Sequence, residues 1–313
     1  MSDTTADTMG VPAPSGSAAG PADPQPLRLN DRGWTWWAGA GFALAVLVAV
    51  VLQLRRVDFG DVLHLLPTAP VFWLVFAASY FAGPAMDWVI YRRLWQIPVG
   101  GFAALLRKLI GNELITGYAG ELYLYTWARR RTGMTSTPFG AIKDVAILSA
   151  MVANAVTLLL LVLAWPLLGN LPLGIDSRAL LISVAVIVGI SSLILLFRRR
   201  LFTLPRAELR FVAAIHLLRI MLTTGLAALC WHLVLPGVAL NWWLLLAALR
   251  MLVSRLPLLP NKDIVFAGLA VFLIGHDAEI GMLMTMMASL ILAVHLGLGL
   301  LLVAAEPLGW RRK

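Results

Sequence analysis

The 313-residue chain is 60% hydrophobic and only 13% charged, and its mean hydropathy of +0.85 excludes a soluble globular domain. Its formal net charge of +9 does not indicate nucleic acid, because the basic residues lie in short clusters at the ends of apolar blocks. The one cysteine, Cys230, excludes an intrachain disulfide and a cysteine-based metal site. We expect an all-α polytopic integral membrane protein, since a backbone in lipid must satisfy its own hydrogen bonds.

Residues 1–33 predict a disordered N-terminal tail. They are rich in Ser, Thr, Ala, Gly, Pro and Asp, with too few apolar side chains to offset the cost of ordering. No basic region precedes the first apolar block, which also starts too late for a secretory signal. The membrane domain is therefore expected over 34–304, followed by a cytoplasmic tail over 305–313.

Six apolar blocks are long enough to cross the roughly 30 Å of membrane hydrocarbon as helices. They lie at 36–54, 70–90, 145–168, 179–197, 211–235 and 282–304. Two further apolar stretches, 101–128 and 242–275, are interrupted by charges and by Gly or Pro. These interruptions set them apart from ordinary crossings.

Basic residues predict the orientation, because cytoplasmic loops carry an excess of Lys and Arg. With both termini cytoplasmic, fifteen basic residues at the ends of the crossings lie inside and three, Arg55, Arg56 and Arg178, lie outside. This distribution of basic residues requires each interrupted stretch to enter and leave the membrane on the same side. Both stretches are therefore predicted to be re-entrant hairpins in a bacterial inner-membrane protein.

The resulting order is helix, helix, hairpin, helix, repeated with the opposite orientation over about 34–168 and 178–304. Such inverted repeats are typical of transporters, in which two halves alternate around a site near the midplane of the membrane. The alternative is that each interrupted stretch is an ordinary helical pair. That reading gives eight crossings and no repeat.

Charges at membrane depth are candidates for function, because each costs about 2.5–3.5 kcal/mol on insertion scales. In the first hairpin, Tyr118, Glu121 and Tyr125 share one face of a helix. We expect these three residues and Arg107 to bind substrate, and Glu121 also to gate transport or carry protons. Three charged residues precede this face: Arg107, Lys108 and Glu113.

The second interrupted stretch contains a predicted helix break, because Pro257 and Pro260 each lack a backbone donor. Free N–H groups at such a break, with basic side chains nearby, are suited to a phosphate. The predicted substrate-binding residues are Arg250, Arg255, Asn261 and Lys262, and Asp263 is predicted to gate or carry protons. The alternative is that the basic side chains extend to the membrane surface or pair with Asp263.

Two Lys-Asp dipeptides occur, Lys143-Asp144 and Lys262-Asp263. Adjacent residues on a helix do not face each other, so neither dipeptide is expected to be a self-contained ion pair. Each is predicted instead to pair across the repeat axis. Lys143 and Asp144 are therefore further candidates for gating or proton transfer.

Asp87 and Arg219 are lone charges within full crossings, predicted either to pair with each other or to face a cavity. The histidines lack the spacing of metal ligands, so we expect them to be structural and expect neither a metal nor another cofactor. They are His64, His216, His232, His276 and His295.

The segment GELYLYTWARRRTG and the following Lys143-Asp144 helix resemble a flippase-like membrane family that includes the transmembrane region of lysylphosphatidylglycerol synthases. That family has a Gly-Glu pair in its first hairpin, matched here by Gly120 and Glu121, then a basic segment and a charged pair. In the second half, LPLLPNKDIVFAG keeps a proline and an acid but lacks the family's glycines. The resemblance covers about 34–304, without a synthase domain, so lipid aminoacylation is not expected.

The hairpins and the resemblance predict a transporter or flippase, not an enzyme, that moves an anionic lipid or lipid-linked intermediate between leaflets. Membrane lipids are the expected partners, nucleic acid is not, and a homodimer is left open. One alternative is a membrane-embedded enzyme acting on a prenyl-phosphate or phospholipid, although no Asp-rich cluster, His-x-x-x-His pattern or Ser/His/Asp grouping occurs. The other is a non-transporting partner in envelope biosynthesis.

Overall fold

The computed structural model describes residues 66–115, 119–129, 138–168, 177–197, 201–255 and 277–304, and the single positions Phe266, Ala270 and Leu273. Within these residues it contains eight α-helices and no strands, as the all-α prediction requires. The helices are α1 (Pro70–Trp95), α2 (Gly101–Leu114), α3 (Ala119–Arg129), α4 (Pro138–Leu168), α5 (Ser177–Leu196), α6 (Arg206–Val234), α7 (Leu240–Arg255) and α8 (Asp277–Ala304).

Several predictions fall on residues that the structure does not describe. They include both tails and the crossing at 36–54. The same holds for Tyr118, Asn261, Lys262 and Asp263, and for the side chain of Arg255.

Four helical segments in the described part of the chain are long and apolar enough to cross a membrane. They are Pro70–Trp95, Phe139–Leu163, Arg206–Val234 and Met282–Ala304, and each coincides with a predicted crossing. Two shorter apolar segments, Ile182–Ile194 in α5 and Leu240–Ser254 in α7, accompany them. The described part of the chain is therefore all-helical, and its apolar helices are typical of a membrane protein.

The predicted hairpin stretch 101–128 forms two short helices, α2 and α3, of 14 and 11 residues. At about 1.5 Å per residue, neither helix could cross the hydrocarbon layer alone. The two helices run antiparallel, because Gly101 of α2 lies against Trp127 near the end of α3, while Lys108 lies against Gly120 near its start. This helical hairpin packs against α1, α4 and α8.

Gly120 allows the two hairpin helices to approach closely. Its backbone N–H donates to Asn112 Oδ1 at 2.7 Å. A Cβ atom at position 120 would lie only 2.0 Å from the carbonyl oxygen of Lys108. Only glycine fits here without moving backbone, and the close approach places the next residue, Glu121, beside Lys108.

Helix α6 lies at the centre of the described fold, in contact with α1, α4 and α7. A buried apolar cluster at one end of the α1–α6 pair includes Phe72 and Trp231. A second cluster at the other end includes Trp95 and Val212. Because the start of α1 meets the end of α6, these two helices are antiparallel, and Asp87 of α1 and Arg219 of α6 lie between the clusters.

Lys143 and Asp144 were predicted not to form a self-contained ion pair. This is wrong in that the two side chains do pair, although both also bind the connection between α5 and α6. Lys143 Nζ lies 3.5 Å from Asp144 Oδ1, because a lysine side chain is long and flexible enough to fold back onto the next carboxylate. Asp144 is fully buried, and its Oδ2 accepts hydrogen bonds from the backbone N–H groups of Thr203 and Leu204 and from the Thr203 hydroxyl. Lys143 donates to the Leu201 carbonyl. The pair thus holds the connection between α5 and α6, and its gating role stays a prediction.

Replacing Asp144 with alanine is expected to lower the free energy of unfolding by roughly 3 kcal/mol, because three donors of the α5–α6 connection lose their buried acceptor. Unfolding can be followed by the reaction of a thiol-specific dye with Cys230, since this one cysteine of the chain is buried in the folded protein. Asp144→Asn keeps an acceptor oxygen, so its free energy of unfolding should fall by less. Equal stability of wild type and Asp144→Ala would contradict the role of this side chain.

Candidate functional site

A cavity of about 500 Å³ lies among α1, the hairpin, α4 and α6. This volume is within the range of small-molecule sites. Gly83 and Pro84 of α1 and Val145 of α4 form part of its apolar wall. Its polar lining consists of Asp87, Tyr91, Lys108, Asn112, Glu113, Glu121, Ser149, His216 and Arg219.

Asp87 on α1 connects two cations from different parts of the fold. Lys108 of the hairpin donates to Asp87 Oδ2 at 2.8 Å, and Arg219 of α6 donates from Nη1 to Oδ1 at 3.1 Å. Arg219 Nη2 also donates to Ser149 Oγ of α4 at 2.7 Å. Buried charges are tolerated when they are paired and hydrogen-bonded, and this network ties four helices together around the cavity.

Glu121 supplies a second carboxylate on the other side of Lys108. Its Oε1 lies 3.7 Å from Lys108 Nζ, and its Oε2 is buried, with no hydrogen-bond partner in the part of the chain that the structure describes. We call Asp87, Lys108, Glu121 and Arg219 the ion quartet. Two cations and two carboxylates make the quartet formally neutral, while Glu113 adds a negative charge at an exposed position of the cavity wall.

His216 of α6 also lines the cavity and contacts α4. Its Nε2 lies 3.2 Å from the carbonyl oxygen of Val145. Because a carbonyl only accepts, Nε2 carries the proton and Nδ1 is left as an acceptor. Nδ1 is buried and has no hydrogen-bond partner among the described residues. The contact to Val145 fits the expectation of a structural histidine for one ring nitrogen only.

Among the described residues predicted to bind substrate, Glu121 lines the cavity. Arg107 instead donates from Nη2 to the carbonyl oxygen of Leu302 at 2.8 Å, which links the hairpin to the end of α8. The hydroxyl of Tyr125 accepts from Arg129 Nη1 at 2.9 Å. The structure therefore does not gather these three residues into one site, and the substrate contacts of Arg107 and Tyr125 stay predictions.

Arg250 lies in a different part of the fold, on α7. Its guanidinium carbon is 6.0 Å from the ring centre of Trp231 and 5.7 Å from that of Phe266. These distances are typical of cation–π contacts. Arg250 is therefore held against an aromatic cluster and does not line the cavity.

The prediction for Asp87 and Arg219 is confirmed in both of its forms, because the two residues pair and also line the cavity. The cavity is also lined by Tyr91, Asn112 and Ser149, which were not predicted as site residues. A signal for part of the site is present in the sequence, since Lys108 and Asn112 are four residues apart. Polar residues at three- or four-residue spacing share one face of a helix, and a polar face on an apolar helix predicts a cavity or partner.

No group of three or more His, Cys, Asp or Glu side chains suited to a metal ion occurs in the part of the chain that the structure describes. Comparisons with protein-family models, with curated proteins and with solved structures find no match. The functional conclusion therefore depends on the cavity and the charges that line it.

Proposed function

We propose that the protein is a transporter or flippase that moves an anionic lipid or lipid-linked intermediate between the leaflets of a bacterial inner membrane. The ion quartet is the observation that supports this most strongly. The quartet and Glu113 place five charged side chains on one cavity. Three of the helices around it, α1, α4 and α6, are apolar enough to cross a membrane. Intramembrane charges are expensive and typically mark substrate or ion pathways. Stability alone does not explain their presence, since replacing a whole buried ion pair by apolar side chains is often neutral.

The cavity is proposed to hold the polar headgroup while the lipid chains extend into the surrounding bilayer. Lys108 and Arg219 are the cations that line it, and ammonium and guanidinium groups are well suited to phosphate. Both cations contact Asp87 in this structure. An anionic headgroup would therefore compete with the carboxylates of the quartet for Lys108 and Arg219.

We further propose that the hairpin of α2 and α3 is re-entrant and opens from the cytoplasmic side, with both chain termini cytoplasmic. The short length of both helices and the basic residues on either side of the hairpin support this orientation. In the proposed inverted repeat of 34–168 and 178–304, a second hairpin would enter the membrane from the side opposite to the cytoplasm. Rocking of the two halves would then expose the headgroup site to each side in turn.

Purified protein in vesicles is expected to accelerate the leaflet exchange of a fluorescent phosphatidylglycerol, measured by quenching of the outer leaflet with dithionite. Lys108→Gln should slow exchange by roughly tenfold or more, since one charge-assisted hydrogen bond contributes about 1.5–3 kcal/mol. Glu121→Gln should also slow it, because a neutral amide cannot alternate between charged and uncharged forms.

Glu208→Gln is the matched control for these variants, because Glu208 pairs with the half-exposed Arg93 outside the cavity. It should exchange lipid at the wild-type rate. Wild-type protein that leaves exchange of every tested lipid at the protein-free rate would rule out transport. A chemically altered lipid recovered from the vesicles would indicate a membrane-embedded enzyme instead.

A further inference from the structure

The neutrality of the ion quartet limits how an anion can enter the cavity. Its four side chains are between 10% and 25% exposed, so water screens them only partly. A bound anion would change the formal charge of the quartet from zero to minus one. An uncompensated charge in such surroundings is costly. A positive charge should therefore enter together with the anion.

The two carboxylates of the quartet are held with different strength. Asp87 has a cation on each oxygen, at 2.8 Å and 3.1 Å. Among the residues that the structure describes, Glu121 has only the 3.7 Å contact to Lys108, and its Oε2 has no hydrogen-bond partner there. An anion that approaches Lys108 should displace the weaker contact first. Glu121 would then be a partly buried carboxylate without a cation, which is the form that protonation relieves.

The charged and titratable groups that line the cavity with Glu121 come from three helices: Asp87 and Tyr91 of α1, Lys108 and Glu113 of α2, and His216 and Arg219 of α6. Helix α4 contributes the hydroxyl of Ser149. Glu113 is at an exposed position and is not a member of the quartet. His216 is the nearest rival as a proton acceptor, but a second positive charge one helical turn from Arg219 is disfavoured.

We propose that Glu121 takes up one proton from the solvent when an anionic headgroup binds beside Lys108 and Arg219. This inference rests on the proposed function. The carboxylate becomes a carboxylic acid, whose O–H donates to an oxygen of the bound anion, and the formal charge of the filled site stays at zero. Release of the anion returns the proton. Each negative charge that crosses the membrane would thus be accompanied by one proton.

The test uses purified full-length protein in weakly buffered detergent near neutral pH, with a pH-sensitive dye. Soluble dihexanoyl phosphatidylglycerol is the probe, because its phosphodiester exchanges no proton at this pH. We expect an uptake of about one proton per bound lipid, with binding measured separately by calorimetry. Dihexanoyl phosphatidylcholine is the matched ligand, and its own positive charge should make proton uptake unnecessary.

Glu121→Gln should bind phosphatidylglycerol without proton uptake, while the control Glu208→Gln should take up the wild-type amount. Binding by wild type without uptake would overturn the proposal, as would equal uptake with both ligands. Uptake that persists in Glu121→Gln but is lost in His216→Asn would assign the proton to the histidine and also overturn it. Failure of wild type to bind phosphatidylglycerol at all would instead contradict the proposed function.

Discussion

Asp87→Asn is expected to lower the free energy of unfolding by roughly 3–5 kcal/mol, the cost of breaking a buried ion pair by removing one partner. Both Lys108 and Arg219 would lose their shared carboxylate, and the amide would present N–H donors to at least one of them. The measurement is the reaction of Cys230 with a thiol-specific dye as the fraction of denaturing detergent rises.

A second substitution separates charge balance from loss of packing. In the double variant Asp87→Asn with Arg219→Gln, Lys108 and Glu121 remain as a neutral pair. It should therefore be more stable than Asp87→Asn alone, although two cavity residues have changed. A double variant as unstable as the sum of the single ones would show that charge balance is not the cause. Glu208→Gln should unfold like wild type, because it leaves the quartet intact.

Gly120→Ala is expected to lower the free energy of unfolding by a similar amount, about 3 kcal/mol or more. The added methyl group overpacks the contact between α2 and α3. The added Cβ would lie 2.0 Å from the Lys108 carbonyl oxygen and 2.7 Å from Asn112 Oδ1. The first of these atoms is backbone, so α2 and α3 must separate as a whole. Thermal unfolding with Cys230 as the reporter would measure the loss of stability.

Separation of the hairpin helices would also move Glu121 away from Lys108, so leaflet exchange should fall together with stability. Gly225→Ala is the matched control, because Gly225 lies inside α6 and a Cβ there meets no atom within 4 Å. Alanine has the higher helix propensity, so this variant should be at least as stable as wild type. A Gly120→Ala protein with wild-type stability would contradict the close approach of the two helices.

The apolar helices could be predicted because the requirements of lipid act on composition alone. The block at 70–90 became α1, which extends to Trp95, and the block at 211–235 became α6, which begins at Arg206. In both cases the helix extends beyond the predicted block through a segment with basic residues. A hydropathy window leaves such residues out, although the helix continues through them. The interruption at 101–128 predicted a hairpin, and the structure has two short antiparallel helices there. Whether this hairpin is re-entrant stays a prediction.

The candidate site could be predicted only in part. Glu121 was identified because a carboxylate in an apolar stretch needs a partner, and Asp87 with Arg219 for the same reason. Lys108 was not chosen over its neighbour Arg107, since one residue of helix rotation decides which side chain enters the cavity. The structure turns Lys108 toward Asp87 and Arg107 toward the end of α8.

By itself, the sequence determined the helical class, the apolar segments and the presence of unusual charges among them, because these follow from how each residue partitions between water and lipid. The tertiary structure decided which charges meet. Asp87 and Lys108 come from consecutive helices, whereas Arg219 lies 132 residues after Asp87 in the chain. Their contact depends on helix rotation and on the close approach at Gly120. Hydropathy contains no information on either, since both are set by packing between helices.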